Sequence, residues 1–273
     1  MLYDAMRDRN RERYDWVWKQ LPIQDPSIWP SWEICKEFVG KRCLEIGCGN
    51  YPRIPWENSY VLDISEMAIN KLKTKDLNAY LGTGERLPFE DNFFDLVVAW
   101  DVMEHVPDDQ KAFAEVSRVL KPGGYFLFSL PVGRDYFSSW DAAVGHLRRY
   151  EVSELGKILE ENGFQVVKFQ GQNLLKYVLK IPFLTTLFSK LFSPALRRYQ
   201  IGLPIPYPLR ALLIRGYAFL GRALAVPWKT GQLKDVKAEA NLTVFCRKQS
   251  QLTFSLGEAG RMELAVEGGH RAR

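Results

Sequence analysis

Short apolar runs and amphipathic runs take turns along most of this chain, and that alternation limits its fold more than any other feature. Strands are predicted at Arg42–Ile46, Tyr60–Ile64, Asn78–Leu81, Phe94–Trp100, Tyr125–Leu130, Gln165–Phe169 and Asn241–Arg247. Helical patterns fall between them at Glu66–Thr74, Asp109–Leu120 and Val152–Asn162, the last ending at Asn162-Gly163, a left-handed stop. Strands separated by helices build βαβ units and a mainly parallel α/β sheet with both faces covered. The run FDLVVAW, almost wholly apolar, reads as a central strand of that sheet.

Composition narrows the class. Of 273 residues, 47% are hydrophobic and 25% charged, which excludes a wholly disordered, collagenous or coiled-coil chain. The four cysteines (Cys35, Cys43, Cys48, Cys246) form no CxxC pair, so neither a zinc cage nor a disulfide framework is predicted, and a reducing, cytoplasmic compartment is expected. MLYDAMRDRNRER has no apolar core, so no secretory signal is expected there. No uncharged apolar run approaches the roughly 18 residues of a spanning helix.

Charge is unevenly distributed. From Asn162 to Lys234, 73 residues contain no Asp or Glu but eleven Lys and Arg, while the rest of the chain has 26 Lys and Arg against 32 Asp and Glu. Within that stretch NLLKYVLKIPFLTTLFSKLF reads as a basic amphipathic helix kinked near Pro182, with Lys176, Lys180 and Lys190 on one arc. An acidic body with a basic apolar segment points to an anionic partner. The expected layout is a helical, aromatic-rich leading segment (1–40), a main domain (41–170 with 235–248), a basic helical insertion (171–234) and a tail without regular structure (249–273).

The strongest local signal is CLEIGCGN at 43–50. An apolar strand runs into Gly47-Cys48-Gly49, where absent side chains let the backbone turn sharply and approach a ligand. The next strand ends at Asp63 in YVLDIS. A carboxylate at the tip of a neighbouring parallel strand can accept both hydroxyls of a ribose, and small ligands sit outside the carboxyl ends of such strands. Asp63 could instead cap the helix that starts near Ser65.

Together, LEIGCGN, LDIS, GERLPFEDNFFDLV, DVMEHV and LKPGGYFLFSLP resemble the class I S-adenosylmethionine-dependent methyltransferases, nearest the subgroup acting on small and lipid-linked molecules. The resemblance covers about 42–170 plus the final strand. It implies a Rossmann-like doubly wound seven-stranded sheet, mostly parallel with the last strand antiparallel, and S-adenosyl-L-methionine as cofactor. It also implies that Glu45, Gly47 and Gly49 face the methionine moiety, Asp63 with Ile64 the ribose, Gly84 with Glu85 the adenine, and Trp100 with Asp101 the sulfonium and acceptor. The chemistry of that ligand agrees: Glu45 or Asp101 suits its ammonium, Asp63 its diol, and Ile64 with Leu87 its flat base. The chain departs from the family where Asn50 follows Gly49 in place of a third glycine, where Thr83 replaces an adenine-binding Asp, and where Pro52 and Pro55 shorten or remove the usual first helix.

His105 and His146 are the candidate bases, because an imidazole titrates near neutrality. His146 lies in GHLRRYEVSEL beside Arg148 and Arg149, which suit an anionic acceptor. Asp101, Glu104 and His105 are spaced like a set linked to a divalent metal in ubiquinone-type O-methyltransferases. The Glu-His pair is widespread in the wider family without one, and no metal is expected.

The basic insertion reads as a membrane-surface segment in preference to a lid, because a lid has no reason to exclude Asp and Glu. Nucleic acid is not expected, since the cations sit among greasy residues and not in a polar groove. The expected protein is a methyltransferase for a small or lipid-linked acceptor, peripheral on the inner face of a membrane. The alternative is a membrane-peripheral binding module with a vestigial pocket.

Overall fold

The computed structural model describes residues 2–75, 77–172, 227–233, 236, 241–250, 252–256 and 262–266. The expected basic amphipathic insertion therefore lies almost wholly outside the described residues.

Seven strands form one sheet: β1 (Cys43–Ile46), β2 (Ser59–Asp63), β3 (Asn78–Leu81), β4 (Phe94–Trp100), β5 (Leu120–Pro131), β6 (Phe164–Gln172) and β7 (Asn241–Lys248). Their spatial order is β3-β2-β1-β4-β5-β7-β6. The first five pair in parallel, and β7 inserts between β5 and β6, antiparallel to both. The chain reverses direction across the sheet between β1 and β4, so the tips of β1, β2 and β4 open a crevice there.

The predicted strands recur to within a residue or two except at β5 and β6. β5 reaches back to Leu120, with an irregular register that pairs Leu120 with Phe94 and Tyr125 with Leu96. Lys121-Pro122-Gly123-Gly124, which precedes the predicted strand, is accommodated inside it because Gly123 adopts a φ of +79°. In the tail, where no regular structure is expected, β8 (Leu252–Leu256) and β9 (Met262–Val266) pair antiparallel. Apolar residues at every second position of both segments carry the period of a strand, a signal diluted by the polar residues around them.

Helices cover both faces. The helices α1 (Leu2–Gln20), α2 (Trp32–Cys35), α3 (Glu66–Lys73), α4 (Asp109–Val119), α5 (Ser139–Val144) and α6 (Val152–Glu161) follow in chain order. No helix forms between β1 and β2, as Pro52 and Pro55 predict. One core layer joins Phe113 and Val116 of α4 and Leu155 and Leu159 of α6 to Phe126 and Phe128 of β5. The other joins Leu72 of α3 to Val61, Val98 and Leu127 of the sheet. All four cysteines are free and buried.

Phe113 anchors the first layer: it is fully buried and meets Phe126, Phe128 and Tyr150 edge-on. Phe113→Ala should destabilise the protein by about 3–5 kcal/mol, the usual cost of a cavity this large. Urea denaturation read by circular dichroism measures it, and a change below about 1 kcal/mol would contradict this packing.

Candidate functional site

Gly47 has a φ of +68° and its amide donates to Leu62 O at 2.7 Å. A Cβ there would lie 2.5 Å from Val102 Cγ2, so the position tolerates only glycine. Gly49, at φ +53°, donates its amide to Asp63 Oδ2 at 2.8 Å, and Ser65 N donates to Asp63 Oδ1 at 2.8 Å. One carboxylate thus ties the β1 loop to the tip of β2. The cap of α3 itself is Ser65, whose Oγ accepts from Ala68 N. Each Asp63 oxygen accepts one of these bonds and keeps a further lone pair for a ligand.

The crevice is an open cleft of about 1000 Å³ including its mouth. Glu45, Gly47, Asp63, Ile64, Gly84, Glu85, Trp100, Asp101 and His105 line it. Gly49 does not, because the Trp18 ring stands over it, 2.2 Å from where a Cβ would be. Leu87 is buried in the core instead, and Leu62 and Val106 supply apolar wall beside Ile64. Thr83 also faces the cleft.

Both acidic residues at the strand tips are buried. Burial pushes the Glu45 carboxyl up to about 7, against an opposing hydrogen bond from Arg53 N, and Asp63 up to about 6. Arg53 lies between two indoles, 4.9 Å from the Trp29 ring centroid and 4.3 Å from that of Trp100, and lines the cleft beside Glu45. A buried acid facing a cleft suits a cationic ligand, whose charge restores the carboxylate that burial disfavours.

At the end of β4, Asp101 takes a left-handed φ of +53° and accepts from Ser129 Oγ at 2.7 Å and Asn241 Nδ2 at 3.0 Å. Glu85 lines the cleft and also accepts from Asp108 N ahead of α4. His105 puts Nδ1 3.0 Å from Gly145 O and Nε2 3.4 Å from Tyr14 Oη. Burial first, then the neighbouring His146, holds its pKa near about 4, so at neutral pH it is an uncharged imidazole and a weaker base than its residue type implies.

The second expected base lies deeper. His146 is absent from the cleft lining; its Nδ1 meets Asp141 Oδ1 at 2.8 Å and its ring packs 4.8 Å from that of His105. Arg148 and Arg149, expected to hold an anionic acceptor, do not line the cleft either. Arg148 pairs with Asp109 and Pro107 O, and Arg149 pairs with Asp141. Interior carboxylates, not an external anion, engage both guanidinium groups.

Several cleft residues escape sequence reasoning. Asn10, Tyr14 and Trp18, each four positions from the next, form one stripe of α1 that faces the cleft. Asn50, in place of the family's third glycine, is fully buried and its amide donates to Trp18 O at 2.7 Å and Leu21 O at 2.5 Å. Lys71 Nζ donates to Trp18 O, Lys19 O and Leu21 O, capping the same helix end with positive charge. Asp15 accepts from Ser65 Oγ and Met67 N at the start of α3. The spacing of ten, fourteen and eighteen carried the signal for the stripe, but nothing local says what that stripe meets.

Comparison with known proteins came to the same region. The family profile for the methyltransferase domain matches residues 44–128. A phthiotriol/phenolphthiotriol dimycocerosates methyltransferase of Mycobacterium ulcerans is 33% identical over 117 residues, 39% of this chain and 43% of that protein. A ubiquinone/menaquinone biosynthesis C-methyltransferase of Vibrio vulnificus is 29% identical over 164 residues, 53% of this chain and 60% of that protein. The chain thus spans about half the length of the curated relatives it matches. A Thermotoga maritima protein described as a possible histamine N-methyltransferase superposes with a TM-score of 0.52 at 18% identity, covering 91% of this chain and all of that one. Haemonchus contortus phosphoethanolamine N-methyltransferase 2, solved with S-adenosylhomocysteine, gives a TM-score of 0.52 at 17% identity over 91% of this chain and 61% of that one.

The burial of Glu45 sets a pH test. Its carboxyl is raised from 4.5 to about 7 in the folded protein, so its contribution to stability is full below about pH 4.5 and is lost as pH rises through 7. Glu45→Gln removes that dependence. Relative to wild type, the ligand-free variant should gain about 2–3 kcal/mol between about pH 5 and about pH 8 in urea denaturation. Parallel stability curves would mean that the group titrates normally.

Proposed function

We propose that this protein, whose residues 44–128 match the methyltransferase-domain profile within a seven-stranded sheet, transfers a methyl group from S-adenosylmethionine to a small or lipid-linked acceptor. The observation that carries the reading is the pair of buried cleft acids, Glu45 and Asp63, at the tips of adjacent parallel strands. They match a ligand that is cationic at one end and presents a diol in its middle. Asp63 would accept the ribose hydroxyls with its remaining lone pairs, and Glu45 would accept the ammonium. Ile64, Leu62 and Val106 offer an apolar slot for the base. The reading of the site as vestigial finds less support, because both acids, besides their internal hydrogen bonds, still border an open cleft.

The cofactor, when bound, supplies an already activated methyl on a sulfonium, so little covalent chemistry is left to the protein. What the chain contributes is position and exclusion of water. Trp100, Trp18 and Tyr14 enclose the cleft with aromatic surface, and Tyr14 fixes the His105 ring edge-on at a centroid distance of 6.0 Å. His105, neutral and at the cleft wall, is the residue placed to take a proton from an acceptor that must lose one.

The acceptor class rests on two supports. Two of the relatives are named for methylation in dimycocerosate lipid and in quinone biosynthesis. The 73-residue stretch from Asn162 to Lys234 without a single acid suits an anionic membrane surface. No described helix is long and apolar enough to cross a membrane.

Two experiments test these parts separately. Asp63→Ala, checked for folding by circular dichroism, should weaken S-adenosylhomocysteine binding in calorimetry by about 100-fold or more, the loss of two hydrogen bonds to a charged acceptor. Unchanged affinity would remove Asp63 from the site. Reversing Lys176, Lys180 and Lys190 together to Glu should weaken sedimentation with phosphatidylserine vesicles by at least about 100-fold, at about 1 kcal/mol per cation. A wild-type protein that ignores such vesicles would end the membrane reading and leave the enzyme reading intact.

A further inference from the structure

Glu104 has no role in the reading above, and its situation is anomalous. It is fully buried just past the end of β4, and neither carboxylate oxygen has a hydrogen-bond partner. His146 Nε2 lies 3.7 Å from its Oε1, beyond hydrogen-bond distance. A buried carboxylate without hydrogen bonds is costly, and such groups are rare unless something absent from the protein chain satisfies them.

Two imidazoles complete the surroundings. One donor atom from each of Glu104, His105 and His146 lies within 4.8 Å of the other two. Each ring also faces an oxygen through Nδ1: Gly145 O for His105 at 3.0 Å and the Asp141 carboxylate for His146 at 2.8 Å. An imidazole beside an oxygen acceptor carries its proton on that nitrogen and presents a lone pair on Nε2. On His146 that lone pair faces Glu104, and on His105 it faces Tyr14 Oη at 3.4 Å, a long contact that a coordinated ion would replace. A ligating histidine held through its other nitrogen by a carbonyl or a carboxylate is the usual outer support of a metal site.

We propose that Glu104, His105 and His146 bind a divalent transition-metal ion of the zinc type beside the cleft. Two of the three donors are imidazole nitrogens, which favour zinc, cobalt or iron over magnesium or calcium. Three protein ligands leave a coordination position open to water or to an acceptor atom. Ligands of a bound zinc lie about 3.5 Å apart, so small side-chain rotations must draw these three together. Asp101, which sequence spacing groups with Glu104 and His105, is held by Ser129 and Asn241, and His146 takes its place in the cluster. The proposal does not depend on the methyltransferase reading, because its test needs no turnover; with an ion bound, His105 serves as a ligand and no longer as the base.

The full-length protein, stripped with chelator and dialysed, is titrated with Zn²⁺ by calorimetry and with Co²⁺ by visible absorption. One equivalent should bind, with a cobalt spectrum typical of low coordination. Glu104→Gln and His146→Gln should each weaken binding at least about 10-fold, and His270→Asn, which removes the remaining histidine, should leave it unchanged. If either site variant does not fold, NMR on the wild type decides: Zn²⁺ should shift two of the three imidazole signals. Failure of the wild type to bind one equivalent, binding that survives both site variants, or a shift confined to His270 would overturn the proposal.

Discussion

The Asp63 carboxylate is the constraint on which the rest of the site depends. By accepting from Gly49 on one oxygen and from Ser65 on the other, it fixes the glycine loop against the tip of β2 and sets the start of α3. The loop cannot relax without unpairing a buried acid, and the acid cannot leave without freeing two buried amides. Everything else at the cleft is built around that clamp. Gly47 turns under Val102, Glu45 reaches Arg53, and Ile64 follows directly into the wall.

The second structural element is α1, which turns an open crevice into a partly covered one. Its C-terminal end is held from two sides, by the Asn50 amide from the glycine loop and by the Lys71 ammonium from α3. A glycine at position 50 would free the loop but lose the two bonds that seat Trp18 over Gly49. The departure from the family pattern at Asn50, which in sequence suggests a weakened pocket, is in structure the anchor of the element that covers it. The aromatic side chains of that element, Tyr14 and Trp18, cover part of the cleft.

Much of the fold was legible because the period of the apolar residues reports burial directly. β3 and β4 fall on their predicted residues and α3, α4 and α6 begin where predicted. The extension of β5 was hidden by Pro122 and two glycines, which punctuate a sequence the same way whether they make a turn or a bulge. The cleft acids were legible because a strand tip and a glycine loop specify each other over 14 residues. The partners of Arg148, Arg149 and His146 were not, because Asp141 serves two of them from a short helix whose Ser138-x-x-Asp141 capping box says nothing of what else that carboxylate meets. A charged side chain looks the same in sequence whether it faces an acceptor or an interior carboxylate.

The central claim is that a nucleoside lies across the tips of β1 and β2 with its diol on Asp63. A crystal structure of the protein with S-adenosylhomocysteine tests it most directly. The account predicts both ribose hydroxyls within about 2.8 Å of the Asp63 oxygens, beneath α1. A cleft that stays empty at saturating ligand, or a nucleoside bound away from Asp63, would contradict it.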